Sequence, residues 1–156
     1  MIPRDYITEW RSEAPWVEDY QVEQDLVISK ALIDIFSHPL LGRTLAFRGG
    51  TALYKLFISP PARYSEDIDL VLIETAAAGP IMDALHEVLD PWLGRPRYKQ
   101  TEGRVTFDYR FTSEDPTRSG SSSRSRSTHA STLRSTGLRR FRSAYLPGGS
   151  KDPARY

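Results

Sequence analysis

Two stretches of the sequence hold residue types whose spacing can do chemistry. Phe47-Arg48-Gly49-Gly50-Thr51-Ala52-Leu53-Tyr54-Lys55 sets a glycine pair between an apolar run and a segment of helical character. Glycines there let backbone N–H groups approach a phosphate closely, and the positive end of a helix dipole favours the same charge. Arg63-Tyr64-Ser65-Glu66-Asp67-Ile68-Asp69-Leu70-Val71 follows, with Asp67 placed 17 residues after Gly50. Side chains two apart on a strand share a face, so Asp67 and Asp69 point at one place and Glu66 points away. Two adjacent carboxylates repel unless a cation joins them, and hard oxygen ligands beside phosphates suit Mg²⁺ or Mn²⁺. The chemistry these residues describe is a metal-assisted phosphoryl or nucleotidyl transfer. A glycine pair alone is an ordinary turn and an Asp-x-Asp pair alone is an ordinary solvated strand; their order along the chain carries the inference.

The elements that must position these residues can be read in sequence. Tyr6, Ile7, Trp10 and Trp16 lie in a short helix and a turn after Pro15, the tryptophans forming a lid on the core, with base stacking as the alternative. Val22, Leu26, Ile28, Ala31, Leu32, Ile35 and Phe36 recur at helical spacing and predict an amphipathic helix over 17–37 that His38-Pro39 ends, leaving His38 as a terminal surface residue. Thr44-Leu45-Ala46-Phe47 reads as the first strand, 50–58 as a helix and Ser59-Pro60-Pro61-Ala62 as a stiff linker, with Arg63 to Ser65 leading into the second strand. Arg48, beside the glycines, suits a salt bridge and a phosphate contact equally.

Further on, Ile81, Leu85, Val88 and Leu89 predict a helix over 78–90 covering the sheet, with His86 exposed. Strict alternation of Val105, Phe107, Tyr109 and Phe111 predicts a hairpin of 96–100 and 104–111 about Thr101-Glu102-Gly103. The expected architecture is α/β, a small mixed sheet flanked by helices, with four elements of sheet around the site.

Gly49-Gly50-Thr51-x-Leu53-x-Lys55 followed by Ser65-Glu66-Asp67-Ile68-Asp69-Leu70 resembles the AbiEii/AbiGii toxin family of nucleotidyltransferases, within the DNA polymerase β-like superfamily and related to the MenT toxins. The likeness runs over about residues 21–111, and the wide interval between the glycines and Asp-x-Asp fits the toxin branch. The resemblance implies a polymerase β-like nucleotidyltransferase fold in which Asp67 and Asp69 hold Mg²⁺ or Mn²⁺. It further implies that the Gly49-Gly50 backbone, Thr51 and Ser65 bind the triphosphate of an NTP and that Lys55 or Arg63 balances its charge. Lys55 taken alone reads as a solvated helix lysine, and only the resemblance turns it to the triphosphate. An RNA hydroxyl, on tRNA in the MenT-like case, is the implied acceptor, and a cognate antitoxin the implied partner. A catalytically inactive remnant that binds nucleotide or antitoxin, and a phosphotransferase using the same metal site, are the alternatives.

Composition bounds the rest. The chain of 156 residues suffices for one domain with a core. It has no cysteine, so a disulfide framework and a cysteine zinc site are excluded. No apolar run approaches the roughly 18 residues that suggest a membrane span, and Met1-Ile2-Pro3-Arg4-Asp5 is unlike a signal peptide, which makes a cytoplasmic location the expectation.

The net charge of +1 conceals a split. Residues 1–115 carry 12 basic and 19 acidic side chains, whereas 116–156 carry 9 basic and 1 acidic. Residues 1–115 are therefore read as an incomplete nucleotidyltransferase-like domain and 116–156, rich in Ser and Arg, as a disordered tail. The edge of the 104–111 strand is then expected to lie open. The Lys-x-Glu-like strand and later acidic motif of the resembling toxins are not visible there. Codons for Arg118 to His129 can be written whose third-base frame encodes Ile-Arg-Leu-Lys-Leu-Lys-Val-Glu-Ile-Asn-Thr, a period-two strand, so a truncated or frameshifted C-terminus is expected. A basic arm that binds RNA through its phosphates is the rival reading.

Overall fold

A computed structural model describes residues 2–60, 63–74, 76–101, 104–111 and 126–134. Local chemistry sets the helix boundaries. α1 (Arg4–Arg11) leads through a turn to α2 (Asp19–Ser37), which opens with a reciprocal cap: the Glu18 side chain accepts from the Gln21 backbone N–H, and the Gln21 Oε1 accepts from the Glu18 N–H at 3.3 Å. His38-Pro39 ends α2 as expected, but the same proline opens a further helix, α3 (Pro39–Thr44). Proline suits the first helical position because no N–H is needed there, and His38 Nδ1 accepts from the Leu41 N–H at 3.5 Å. His38 is therefore a half-buried cap between two helices.

β1 (Leu45–Arg48), α4 (Gly49–Leu56), β2 (Ile68–Leu72), α5 (Ala78–Leu93), β3 (Arg97–Thr101), β4 (Arg104–Phe111) and β5 (Arg126–Arg134) complete the order. β1 pairs antiparallel with β2 across the intervening α4, and β3 pairs antiparallel with β4 as a hairpin. β5 lies between them, parallel to β2 and antiparallel to β4, and joins both pairs into one mixed sheet of order β1-β2-β5-β4-β3. The core fills the space between this sheet and the helices, with Val27, Ile28 and Ile35 of α2 and Ile81, Leu85 and Leu89 of α5 against Ile68, Leu70 and the alternating Val105, Phe107, Tyr109 and Phe111.

Four expectations are corrected. Residues 126–134, read as part of a disordered tail, form β5. Composition alone offers this segment little apolar area, but the backbone groups of β2 and β4 both need partners, and an inner strand satisfies them on either side whatever its side chains. The open edge expected on β4 is accordingly covered. The β3–β4 hairpin does not surround the glycines and Asp69, because β5 stands between β4 and β2. His86, expected exposed, is half-buried: its Nδ1 lies 3.0 Å from Asp90 Oδ2 and its ring stands edge-on to Phe107 at 5.2 Å. Linker residues 61–62, the turn at 102–103 and the tail at 112–125 and 135–156 lie outside the described residues.

Candidate active site

The site is built where β1 turns into α4 beside β2. Antiparallel pairing sets Arg48, the last residue of β1, opposite Asp69. Ile68 and Leu70 are buried in the core, so alternation presents Asp69 on the other face, half-buried. Gly49 then takes φ +87°, a left-handed conformation that side chains disfavour. Space makes the same demand: a Cβ on Gly49 would fall within the Asp69 carboxylate, with Cγ 3.1 Å away. The backbone of the first turn of α4 is thereby pressed against a carboxylate of the Asp-x-Asp pair.

Gly50 faces the opposite wall. A Cβ there would meet Arg63 Nη2 at 3.2 Å and Ser65 Oγ at 3.4 Å. Thr51 is 1% exposed and its hydroxyl donates to Ser65 Oγ at 2.9 Å, tying α4 to the segment that precedes β2. Trp16 presses the residue between Arg63 and Ser65 into place, its ring edge-on to Tyr64 at 5.0 Å and to Tyr54 at 5.4 Å. α4 has no acidic residue in its first turn and no side-chain cap from Arg48, which leaves its first N–H groups and the positive end of its dipole for an anion.

Gly49, Gly50, Thr51, Arg63, Ser65 and Asp69 are thus brought together. Asp67 is exposed in the lead-in two residues before Asp69, one position ahead of β2. Lys55 is not in this group. Its Nζ turns into α2, 2.7 Å from Asp25 Oδ1 and 2.9 Å from Ser29 Oγ, with only 14% of the side chain exposed. Asp25, 3% exposed, also accepts from the Tyr54 hydroxyl at 2.8 Å and from Trp10 Nε1 at 3.4 Å. Burial above all, and then the Asp25 charge and hydrogen bond, push the Tyr54 hydroxyl well above its ordinary titration range, so it stays a donor.

Sequence reasoning passed over Asp25 and Tyr54. The available signal was an acid set between Val22 and Ile28 on the apolar side of a helix, where a charge needs a partner.

Asp69 sets one carboxylate beside the anion-facing helix end, and Mg²⁺ is commonly held by one or two carboxylates together with substrate phosphates, so the residues present fit a small hard cation. Among the described residues no group of three or more His, Cys, Asp or Glu gathers as an all-protein metal site. No helix among them is long and apolar enough to cross a membrane.

No curated protein and no solved structure is significantly similar to the chain. Residues 30–126, well over half of the chain, match the family described as Nucleotidyl transferase AbiEii toxin, Type IV TA system. That span contains the glycine turn, Ser65 and the Asp-x-Asp strand, and on it the chain belongs to the AbiEii nucleotidyl transferase toxin family of type IV toxin–antitoxin systems.

Proposed function

We propose that this chain transfers a nucleotidyl group from an NTP to a hydroxyl of an RNA acceptor, tRNA first among the candidates, forming a phosphodiester at the α-phosphorus as the α–β anhydride bond breaks and pyrophosphate leaves, and that its activity is countered by a cognate antitoxin. The observation that carries this reading is the close approach of the Gly49 backbone to the Asp69 carboxylate, with Arg63 and Ser65 closing on Gly50. Such an arrangement gives one polyphosphate a cation site on one side and backbone donors on the other. The mixed sheet with its carboxylates beside a glycine-started helix supports a polymerase β-like fold.

In this reading Asp67 and Asp69 hold Mg²⁺ or Mn²⁺. The bound ion supplies charge neutralisation at the transferring phosphorus and an alignment for in-line attack. The N–H groups of α4's first turn bind the phosphate oxygens, and Gly49 and Gly50 keep that surface free of side chains. Arg63, exposed above Gly50, offers a planar guanidinium to the triphosphate. Thr51 fixes Ser65 through its hydroxyl, which leaves Ser65 positioned toward the same phosphates.

Radiolabel transfer from each NTP with Mg²⁺ onto total tRNA tests this reading. The expected result is incorporation from one or more NTPs that falls about 10²-fold or more in Asp67→Ala and Asp69→Asn. Incorporation that survives both substitutions overturns it.

One observation favours a second reading, in which the chain binds nucleotide or antitoxin without turnover. β5 places Ser131 beside Asp69, and none of residues 126–134 is acidic, so the neighbouring strand adds no third carboxylate. NTP-dependent thermal protection without incorporation is its signature.

A further inference from the structure

Asp25 is a buried acid whose carboxylate receives three side-chain donors, and it takes no part in the glycine turn or the Asp-x-Asp pair. Oδ1 receives Tyr54 and Lys55 from α4 at 2.8 and 2.7 Å, and Oδ2 receives Trp10 from α1 at 3.4 Å. The Lys55 ammonium spreads its three donors over Asp25 Oδ1, the Asp25 carbonyl at 3.5 Å and Ser29 Oγ at 2.9 Å, all on α2. None is left for a phosphate while this arrangement holds.

A buried ion pair is poor evidence of net stabilisation, because desolvating both charges offsets their attraction. Fixing geometry is the better account. α4 has only 8 residues and lacks a side-chain cap, and helices that short do not hold themselves in water. It must be located by tertiary anchors. Tyr54 and Lys55, consecutive on α4, meet a single carboxylate oxygen, which constrains both the rotation of the helix about its axis and its travel along it. Residues 49–51 lie one turn earlier on the same short rod.

We propose that Asp25 is a positioning residue for nucleotidyl transfer: through Lys55 and Tyr54 it sets the orientation of α4 and hence the direction of the N–H groups in its first turn. This rests on reading that turn as the triphosphate cradle. Lys55 is a strut in this arrangement, and the phosphate-facing cation is Arg63.

The test compares Asp25→Asn, Lys55→Met and the double variant by two readouts. One is amide hydrogen exchange at the hydrogen-bonded amides of α4, residues 52–57, against residues 84–89 of α5; the other is kcat and KM for the NTP in tRNA labelling. Asp25→Asn is expected to speed exchange at 52–57 by about tenfold while α5 is unchanged. It is expected to lower kcat/KM by about 10- to 100-fold, since small misplacement of a binding group carries losses of that order. Lys55→Met should do the same, and the double variant should be no worse than the worse single. Tyr54→Phe removes one arm and spares the ion pair, so a smaller change in the same direction is expected even if Asp25→Asn does not fold.

Exchange and kcat/KM within about twofold of wild type in both Asp25→Asn and Tyr54→Phe overturn the proposal. So does a Lys55→Met loss far beyond that of Asp25→Asn with an additive double variant, since Lys55 would then serve the phosphates directly. A wild-type chain without transfer sinks the functional reading instead, while the exchange at 52–57 still reports on the anchor.

Discussion

Gly49 and Gly50 illustrate how two identical residues side by side answer to different physics. At Gly49 both the positive φ and the Asp69 carboxylate exclude a side chain. Gly49→Ala is expected to destabilise the fold by about 1–3 kcal/mol through backbone strain alone, seen as a lower thermal midpoint, and to abolish protection by NTP. At Gly50 the nearest obstacle is the far end of the flexible Arg63 side chain. Gly50→Ala should therefore leave the stability within about 0.5–1 kcal/mol of wild type, the ordinary range for a glycine in a helix, yet raise KM by displacing Arg63. Equal destabilisation by the two substitutions would contradict this division. The residue types and their order were legible in the sequence because glycine pairs and Asp-x-Asp have local meanings. The Asp25 anchor was not, because its partners lie 29 and 30 positions away and only the fold joins them.

Elements were legible wherever a period was backed by burial. The alternation in β4 did place Val105, Phe107, Tyr109 and Phe111 in the core; of the α2 stripe, Val22, Ile28, Ala31 and Ile35 are buried, Leu26 and Leu32 are half-buried, and Phe36 at the helix end is exposed. α3 escaped because Pro39 carries two meanings, a stop for one helix and a start for the next. α5 is joined to the sheet by a polar link within the core: the Tyr109 hydroxyl donates to Asp90 Oδ1 at 2.8 Å, and His86 contacts the same carboxylate. Burial first, then the hydrogen bond and charge of Asp90, raise the Tyr109 hydroxyl well above the ordinary value of about 10. Its stabilising contribution is complete below the unfolded-state value and declines once the unfolded chain ionises while the native hydroxyl stays protonated. The thermal midpoint should fall as pH rises above about 10, and Tyr109→Phe, which has no hydroxyl to ionise, should show a shallower fall. Parallel alkaline slopes for the two proteins would rule out this linkage.

For the molecule as a whole, β5 is the keystone of the sheet. Without it β1–β2 and β3–β4 are separate two-stranded pairs, each marginal in water on its own. A chain ending at Phe111 should lose its cooperative thermal transition and aggregate through the exposed edges of β2 and β4, which circular dichroism and light scattering would report. Retention of a sharp transition would mean that β5 is dispensable. This role was illegible for a plain reason. Periodicity and apolar content report what a segment's side chains bury, and a serine-, threonine- and arginine-bearing inner strand is held by its backbone ladder.

The position of β5 also sets a timetable. β2 is complete by Leu72 and β4 by Phe111, but the strand that must enter between them is not finished until Arg134. Pairing across that interval closes a long loop, the kind of contact that slows folding. During synthesis the ribosome therefore releases the glycine turn and both aspartates well before the sheet that supports them can close. On this topology the inner edges of β2 and β4 stay open until β5, the last of the described strands, has been made.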